Sequence, residues 1–169
     1  MEHEYIIGRL SQNRAVFEAQ LNNKSREEYT FKPTLDKWCM LEVLCHLLDE
    51  EKEDFRTRVE YVLRDPNEPL PKFDPTIWPA SRNYMGQDYA AKMVEFLDER
   101  AKSVAWLESL VAPQWENAYQ HPKVGPLSAE LFLANWLAHD YIHIRQLNRL
   151  AFGYLQHQSG TDLSYAGNF

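Results

Sequence analysis

His139 and His143 stand four residues apart in the run HDYIHIRQL. If that run is helical, the two imidazoles share a face and can aim nitrogens at one point beside the helix, as H-x-x-x-H metal motifs do. Counting in steps of three and four places Phe132, Trp136, His139, His143, Leu147, Leu150 and Tyr154 on one stripe, because a 3.6-residue period returns such positions to a common side. Each imidazole in that apolar seam needs a partner for both nitrogens. A shared cation is one answer and ordinary core hydrogen bonds are another; the pair alone does not choose.

Holding such a pair in place requires long helices, and the chain supplies four amphipathic stretches. Ile6, Ile7, Leu10, Phe17 and Leu21 predict a helix over about 3–22, ended by Asn22 to Ser25, with Pro33 interrupting the connection beyond it. A second helix opens at Asp36 or Cys39 and runs to about Arg64. Its apolar arc is Leu41, Leu44, Leu48, Phe55, Val59 and Val62, widened by Met40, Val43 and Leu47. On an ideal wheel His46 falls roughly 60° beyond that arc, a boundary position. Pro66, Pro69, Pro71, Pro75 and Pro79 exclude a helix between Asp65 and Ser81. With Phe73 and Trp78 among them, they predict a crossover docked on the bundle, or a lid. A third helix, Gly86 to Val111, gathers Tyr89, Met93, Phe96, Leu97, Val104, Leu107 and Val111 on one side and stops at Pro113. Ser128 is a suitable N-cap for the fourth, which covers the histidine pair and ends at Gly153. No alternating strand pattern and no internal repeat is visible. The expectation is an all-α single domain, a four-helix bundle with long connections that permit crossovers.

The chain has 169 residues and a formal charge of −7, which argues against a nucleic-acid partner held through phosphates. It has no apolar run long enough for a membrane span, and MEHEYIIGRLSQ lacks the features of a secretory signal. Cys39 and Cys45 form no CxxC and no plausible local disulfide, consistent with a reduced cytoplasm. No P-loop, GxGxxG or Ser-His-Asp arrangement is apparent, and a small-molecule substrate is the expected partner.

The segment WCMLEVLCHLL from Trp38 to Leu48, followed by the HDYIHIRQL run and preceded in that last region by HPKVGPLS from His121, resembles the DinB-like (YfiT/DinB) superfamily of metal-binding four-helix bundles. The resemblance covers almost the whole chain and implies an up-up-down-down bundle. It also implies a three-histidine metal site, which by position would be His46, His139 and His143. Three imidazoles suit a divalent transition metal, Zn or Ni foremost, with Cu or Fe(II) compatible, rather than Ca or Mg. Three protein ligands leave room for water or substrate. Relatives imply thiol-dependent S-transfer, with a low-molecular-weight thiol such as bacillithiol or mycothiol as co-substrate, and pairing into a homodimer. The alternatives are a non-catalytic metal-binding or stress-response protein and a metal-dependent hydrolase. One departure is Cys39, where the family commonly has a Ser or Thr cap; thiols cap less well.

Around that site, Glu50, Glu53 and Asp140 are candidates to hold the rings from behind, or else part of a solvated acidic face. His121 and Gln146 are candidates to line a pocket. Arg145 reads as a surface group, His3 and His157 as exposed, Trp136, Tyr141 and Cys45 as core. Cys39, close to a helix N-terminus, either packs or carries a lowered pKa.

Overall fold

The computed structural model describes residues 2–72 and 74–167; Phe73 and Phe169 lie outside the described residues. Ile6, Leu10, Asn13, Phe17 and Leu21 recur at steps of three and four and are all buried, which makes α1 (His3–Leu21) an inward-facing helix. A single turn, α2 (Arg26–Tyr29), is capped by Ser25 Oγ, which accepts from Glu28 N–H at 3.2 Å.

The second long rod has three parts: α3 (Met40–Glu50), a π-helical turn (Glu51–Phe55) and α4 (Arg56–Arg64). Cys39 occupies the N-cap, its own N–H donates to Glu42 Oε2 at 2.9 Å and its sulfur faces the Glu42 N–H, so the capping box forms without a hydroxyl. Burial pushes the Cys39 thiol up, opposite to the lowering that a helix N-terminus could give. The π-turn explains why the ideal wheel misplaces His46. One extra residue in the turn shifts every later position by about 100°, so Phe55, Val59 and Val62 rotate toward the His46 side. Upstream, Met40 to Leu48 are all buried, and His46 is 8 % exposed rather than a boundary residue.

The Pro-rich crossover contains one helical turn, α5 (Trp78–Ser81), where none was expected. Pro79 is tolerated because the first turn has no N–H to lose. Trp78 docks, 4 % exposed, with the Arg82 guanidinium 4.3 Å above its ring. A 3-10 turn (Tyr84–Gly86) leads to α6 (Tyr89–Ser109), capped by Asp88. This helix stops short of the expected end: Val111 is 92 % exposed and Ala112 has a φ of 47°. The next loop hides an antiparallel hairpin, β1 (Ala118–His121) and β2 (Gly125–Ser128), with Tyr119 opposite Leu127. Strands this short carry too little alternation to be legible. Ser128 caps α7 (Ala129–Ser159), accepting from Leu131 N–H at 3.1 Å. That helix runs through Gly153 and ends at Gly160, whose φ of 58° suits a residue without Cβ.

Pairings across the bundle fix the helix directions. Asn13 meets Asp140 and Gln20 meets Asn148, so α1 and α7 run parallel. Glu51 meets Arg100 and Arg56 meets Ser103, so the α3–α4 rod and α6 also run parallel. Tyr89 OH donates to Leu21 O, and His46 meets His139 while Phe55 meets Trp136, so α1 opposes α6 and the rod opposes α7. The order is therefore up-down-down-up, not up-up-down-down. The crossover returns the chain along the bundle, so the third long helix starts from the same end as the second. One apolar cluster forms around Phe17, Leu44, Phe96 and Leu147 and another around Leu10, Val59, Leu133 and Trp136. Among the described residues no helix is long and apolar enough to cross a membrane.

Candidate metal centre

The antiparallel contact of α3 with α7 sets His46 opposite the i, i+4 pair. His46 Nε2 lies 3.2 Å from His139 Nε2, and His143 Nε2 lies 3.0 Å from His139 Nε2. One ligand atom from each ring falls within 4.8 Å of the others. His46 and His143 are buried and His139 is half-buried. The rings are walled by Trp38 at 5.0 Å from His46 and Phe55 at 5.0 Å from His139.

Burial holds all three rings neutral. It pushes His46 down to about 3, with His143 adding to the shift, and His139 down to about 2, with His143, His46 and Arg100 adding theirs. His143 is lowered by burial as well, against a hydrogen bond to Gln146 that raises it. Neutral imidazoles each carry one in-plane lone pair and one N–H. His139 Nε2 has two ring nitrogens within 3.2 Å, and it cannot donate to both or accept from both along a single in-plane direction.

A divalent transition ion fits this donor set. Imidazole nitrogens bound at about 2.0–2.1 Å to one ion sit on the order of 3 Å apart, as these do. The far sides of the rings agree. His143 Nδ1 is 2.8 Å from Gln146 Oε1, an acceptor that places the proton on Nδ1 and leaves the Nε2 lone pair facing its neighbours. His46 Nδ1 is buried without a hydrogen-bond partner among the described residues. Glu50 Oε1 stands 3.8 Å from it, within a small adjustment of accepting an Nδ1–H. Burial and then Asp54 raise the Glu50 carboxyl well above the usual range.

Asp140 behaves otherwise. Its carboxylate turns away from the rings and accepts from Arg100 at 2.7 and 2.8 Å and from Asn13 at 2.9 Å. The backbone reason is plain: consecutive residues on a helix point about 100° apart, so a neighbour of His139 faces another part of the core. Glu53 is committed to Arg82 on the surface. Gln146 supports the His143 ring, and His121 sits on the hairpin, outside the cluster of His46, His139 and His143. Tyr141 is 41 % exposed rather than core, and its hydroxyl accepts from Arg9. His3 is not free in solvent but stacks on Trp115 at 4.8 Å. Cys45 packs, and burial pushes its thiol up to about 12.

Sequence reading missed the group directly behind the centre. Arg100, fully buried, is gripped by Glu51 at 2.8 and 2.9 Å and by Asp140, while Trp136 Nε1 donates to Glu51 Oε2 at 3.0 Å. One signal was available: Arg100 occupies the i+4 step between Phe96 and Val104 on the apolar seam of α6. Beside His139 a cleft of about 440 Å³ opens. Its apolar walls are Phe55, Leu127, Leu131, Phe132 and Ile142, with Asp54 and Arg58 near the floor.

No curated protein matches the chain. Among solved structures it is similar to YfiT from Bacillus subtilis, described as a probable metal-dependent hydrolase with an unusual four-helix bundle topology. The TM-score is 0.78 at 16% identity, over 95% of this chain and 89% of that one. The model of the DinB superfamily matches residues 9–147, most of the sequence and all three converging histidines. The chain belongs to the DinB superfamily.

Proposed function

We propose that this protein is a divalent-metal-dependent enzyme that activates a low-molecular-weight thiol at His46, His139 and His143 and transfers its sulfur to an electrophile in the cleft beside His139. The observation that carries this reading is the meeting of three neutral imidazole nitrogens, one of them on His139, which lines a cleft with apolar walls. A bound Zn or Ni ion supplies Lewis acidity, which favours loss of the proton from a thiol or water that reaches it. The chain's own residues do the rest. Gln146 holds the His143 tautomer, and Glu50 stands ready behind His46. Phe55, Leu131, Phe132 and Ile142 shed water from a bound electrophile. With Asp54 ion-paired to Arg58, the thiol proton would pass to solvent and the thiolate sulfur would bond to the electrophilic carbon. That carbon would expel its leaving group or, in a conjugated electrophile, the adjoining carbon would take up a proton from water.

Hydrolysis is the second reading, favoured by the likeness in fold to a protein described as a probable metal-dependent hydrolase. The two are separated by loading the purified protein with Zn or Ni and assaying two substrate sets. One set is a thiol with a panel of alkylating and conjugated electrophiles; the other is a panel of esters and amides without thiol. Conjugate formation above a His143→Ala background supports transfer. Ester or amide cleavage above that background without thiol replaces it with hydrolysis. Stoichiometric metal with neither activity leaves a metal-binding protein without turnover and sinks both.

A further inference from the structure

A second cleft adjoins the one at the histidines. It measures about 590 Å³ and lies between the Pro-rich crossover and the hairpin. Pro69, Leu70, Pro71, Tyr119 and Pro122 form its uncharged walls, and its basic side chains are Lys72, His121, Lys123 and Arg58, the last ion-paired with Asp54. No Asp or Glu lines it among the described residues, although the chain as a whole carries a formal charge of −7. The His121 ring is oriented by its backbone. Its Nδ1 accepts from the N–H groups of Lys123 and Val124 at 3.2 and 3.3 Å, which leaves Nε2 as the protonated donor. Arg58 is a wall of both clefts. So is the hairpin, since Tyr119 lines the basic cleft and Leu127, its cross-strand partner, lines the other.

From this arrangement we infer that the substrate or co-substrate of the histidine centre is an elongated small molecule with an anionic end group, a carboxylate or phosphate, seated among Lys72, His121 and Lys123. The inference rests on the reading of the histidines as a reaction centre only for the far end of the ligand. The anion subsite stands on its own residues. Its chemistry is that of charge-assisted hydrogen bonds, in which an ionised acceptor meets several cationic donors. Length comes from the rod. Arg58 is twelve residues beyond His46, about 18 Å along a helix axis at 1.5 Å per residue. A ligand that reaches from the histidines along this rod past Arg58 is therefore extended rather than compact.

The subsite is tested without turnover. The full chain, isotopically labelled, is titrated with citrate and separately with inorganic phosphate, with and without Zn, and backbone amide shifts are followed by NMR. Saturable shifts at His121, Lys123 and Val124 are expected in both metal states. They should weaken tenfold or more in Lys72→Gln/Lys123→Gln, whose two side chains are solvent-exposed, and should weaken again as salt is raised. Tighter citrate assigns a carboxylate end group, and tighter phosphate a phosphoryl one. Equal affinity in wild type and double variant, or no saturable shift with either anion, overturns the proposal. A reactive histidine centre with no anion site, or the reverse, tells its failure apart from that of the proposed transferase.

Discussion

His139 and Asp140 are neighbours in the chain, yet they belong to two polar clusters that the core treats in opposite ways. Asp140 joins Arg100, Glu51, Asn13 and Trp136 in a network in which the guanidinium meets a carboxylate on either side at 2.7 to 2.9 Å. His139 joins His46 and His143, three neutral rings crowded nitrogen to nitrogen at 3.0 and 3.2 Å, with His46 Nδ1 lacking a hydrogen-bond partner among the described residues. Satisfied polar groups in a low-dielectric interior hold elements in register. Three Nε2 nitrogens crowded together, one of them on a ring that lines a cleft, are what a cation completes. The first cluster is the scaffold of the second: it locks the π-turn against α6 and α7, and the π-turn directly succeeds the helix that carries His46.

The sharpest way to break this contrast is Arg100→Met. It strands Glu51 and Asp140 as uncompensated buried charges, and loss of one partner from such a network costs about 3–5 kcal/mol. Urea denaturation of the metal-free protein should show that loss; a change below about 1 kcal/mol would mean that the network is not structural. Next in size, His139→Ala or His143→Ala should cut Zn or Ni affinity by at least about 100-fold, beyond what outer partners usually contribute. Metal-free stability should fall far less than with Arg100→Met. Calorimetric titration with the metal reads the first quantity and denaturation the second, and equal metal content in wild type and variant would remove the centre.

Acid should separate the clusters in the same order. His46 and His139 are held down to about 3 and about 2 in the folded protein, against about 6.5 when unfolded. The unfolded chain therefore takes up protons first as pH falls. Their contribution is complete above about 6.5 and is lost progressively below it. Urea melts of the metal-free protein at pH 7.5 and 5.5 should show lower stability at 5.5, with a smaller difference in His139→Ala. A pH-independent midpoint would contradict neutral burial. The smallest effect expected is that of Glu50→Gln, which keeps an acceptor behind His46 but removes the carboxyl. Metal affinity should weaken by about tenfold or less, and a loss as large as that of a ring would promote Glu50 from support to ligand.

Much of the fold was legible because burial along a helix is periodic. The stripe from Phe132 to Leu150, the Ser128 cap and the crossover of prolines all stand in the structure where side-chain chemistry put them. Legibility failed wherever a residue's environment came from another element. His46 looked marginal because a wheel assumes uniform winding, and one π-turn rotates half the arc. Asp140 looked like a partner for His139 because it is adjacent in the chain, which on a helix means that it faces elsewhere. The hairpin was too short to alternate, and Gly153 resembled a stop because no local signal marks Gly160, two turns further on, as the better one.

By itself the sequence determined four amphipathic helices, the long connections between them and two imidazoles on one face, since each comes from residue type and a fixed helical repeat. Only tertiary structure decided that the second helix meets the fourth head to tail, that the His46 ring named by resemblance comes within 3.2 Å of His139, and that Arg100 lies between two carboxylates. Those outcomes depend on distances between segments far apart in the chain, and no local spacing encodes them.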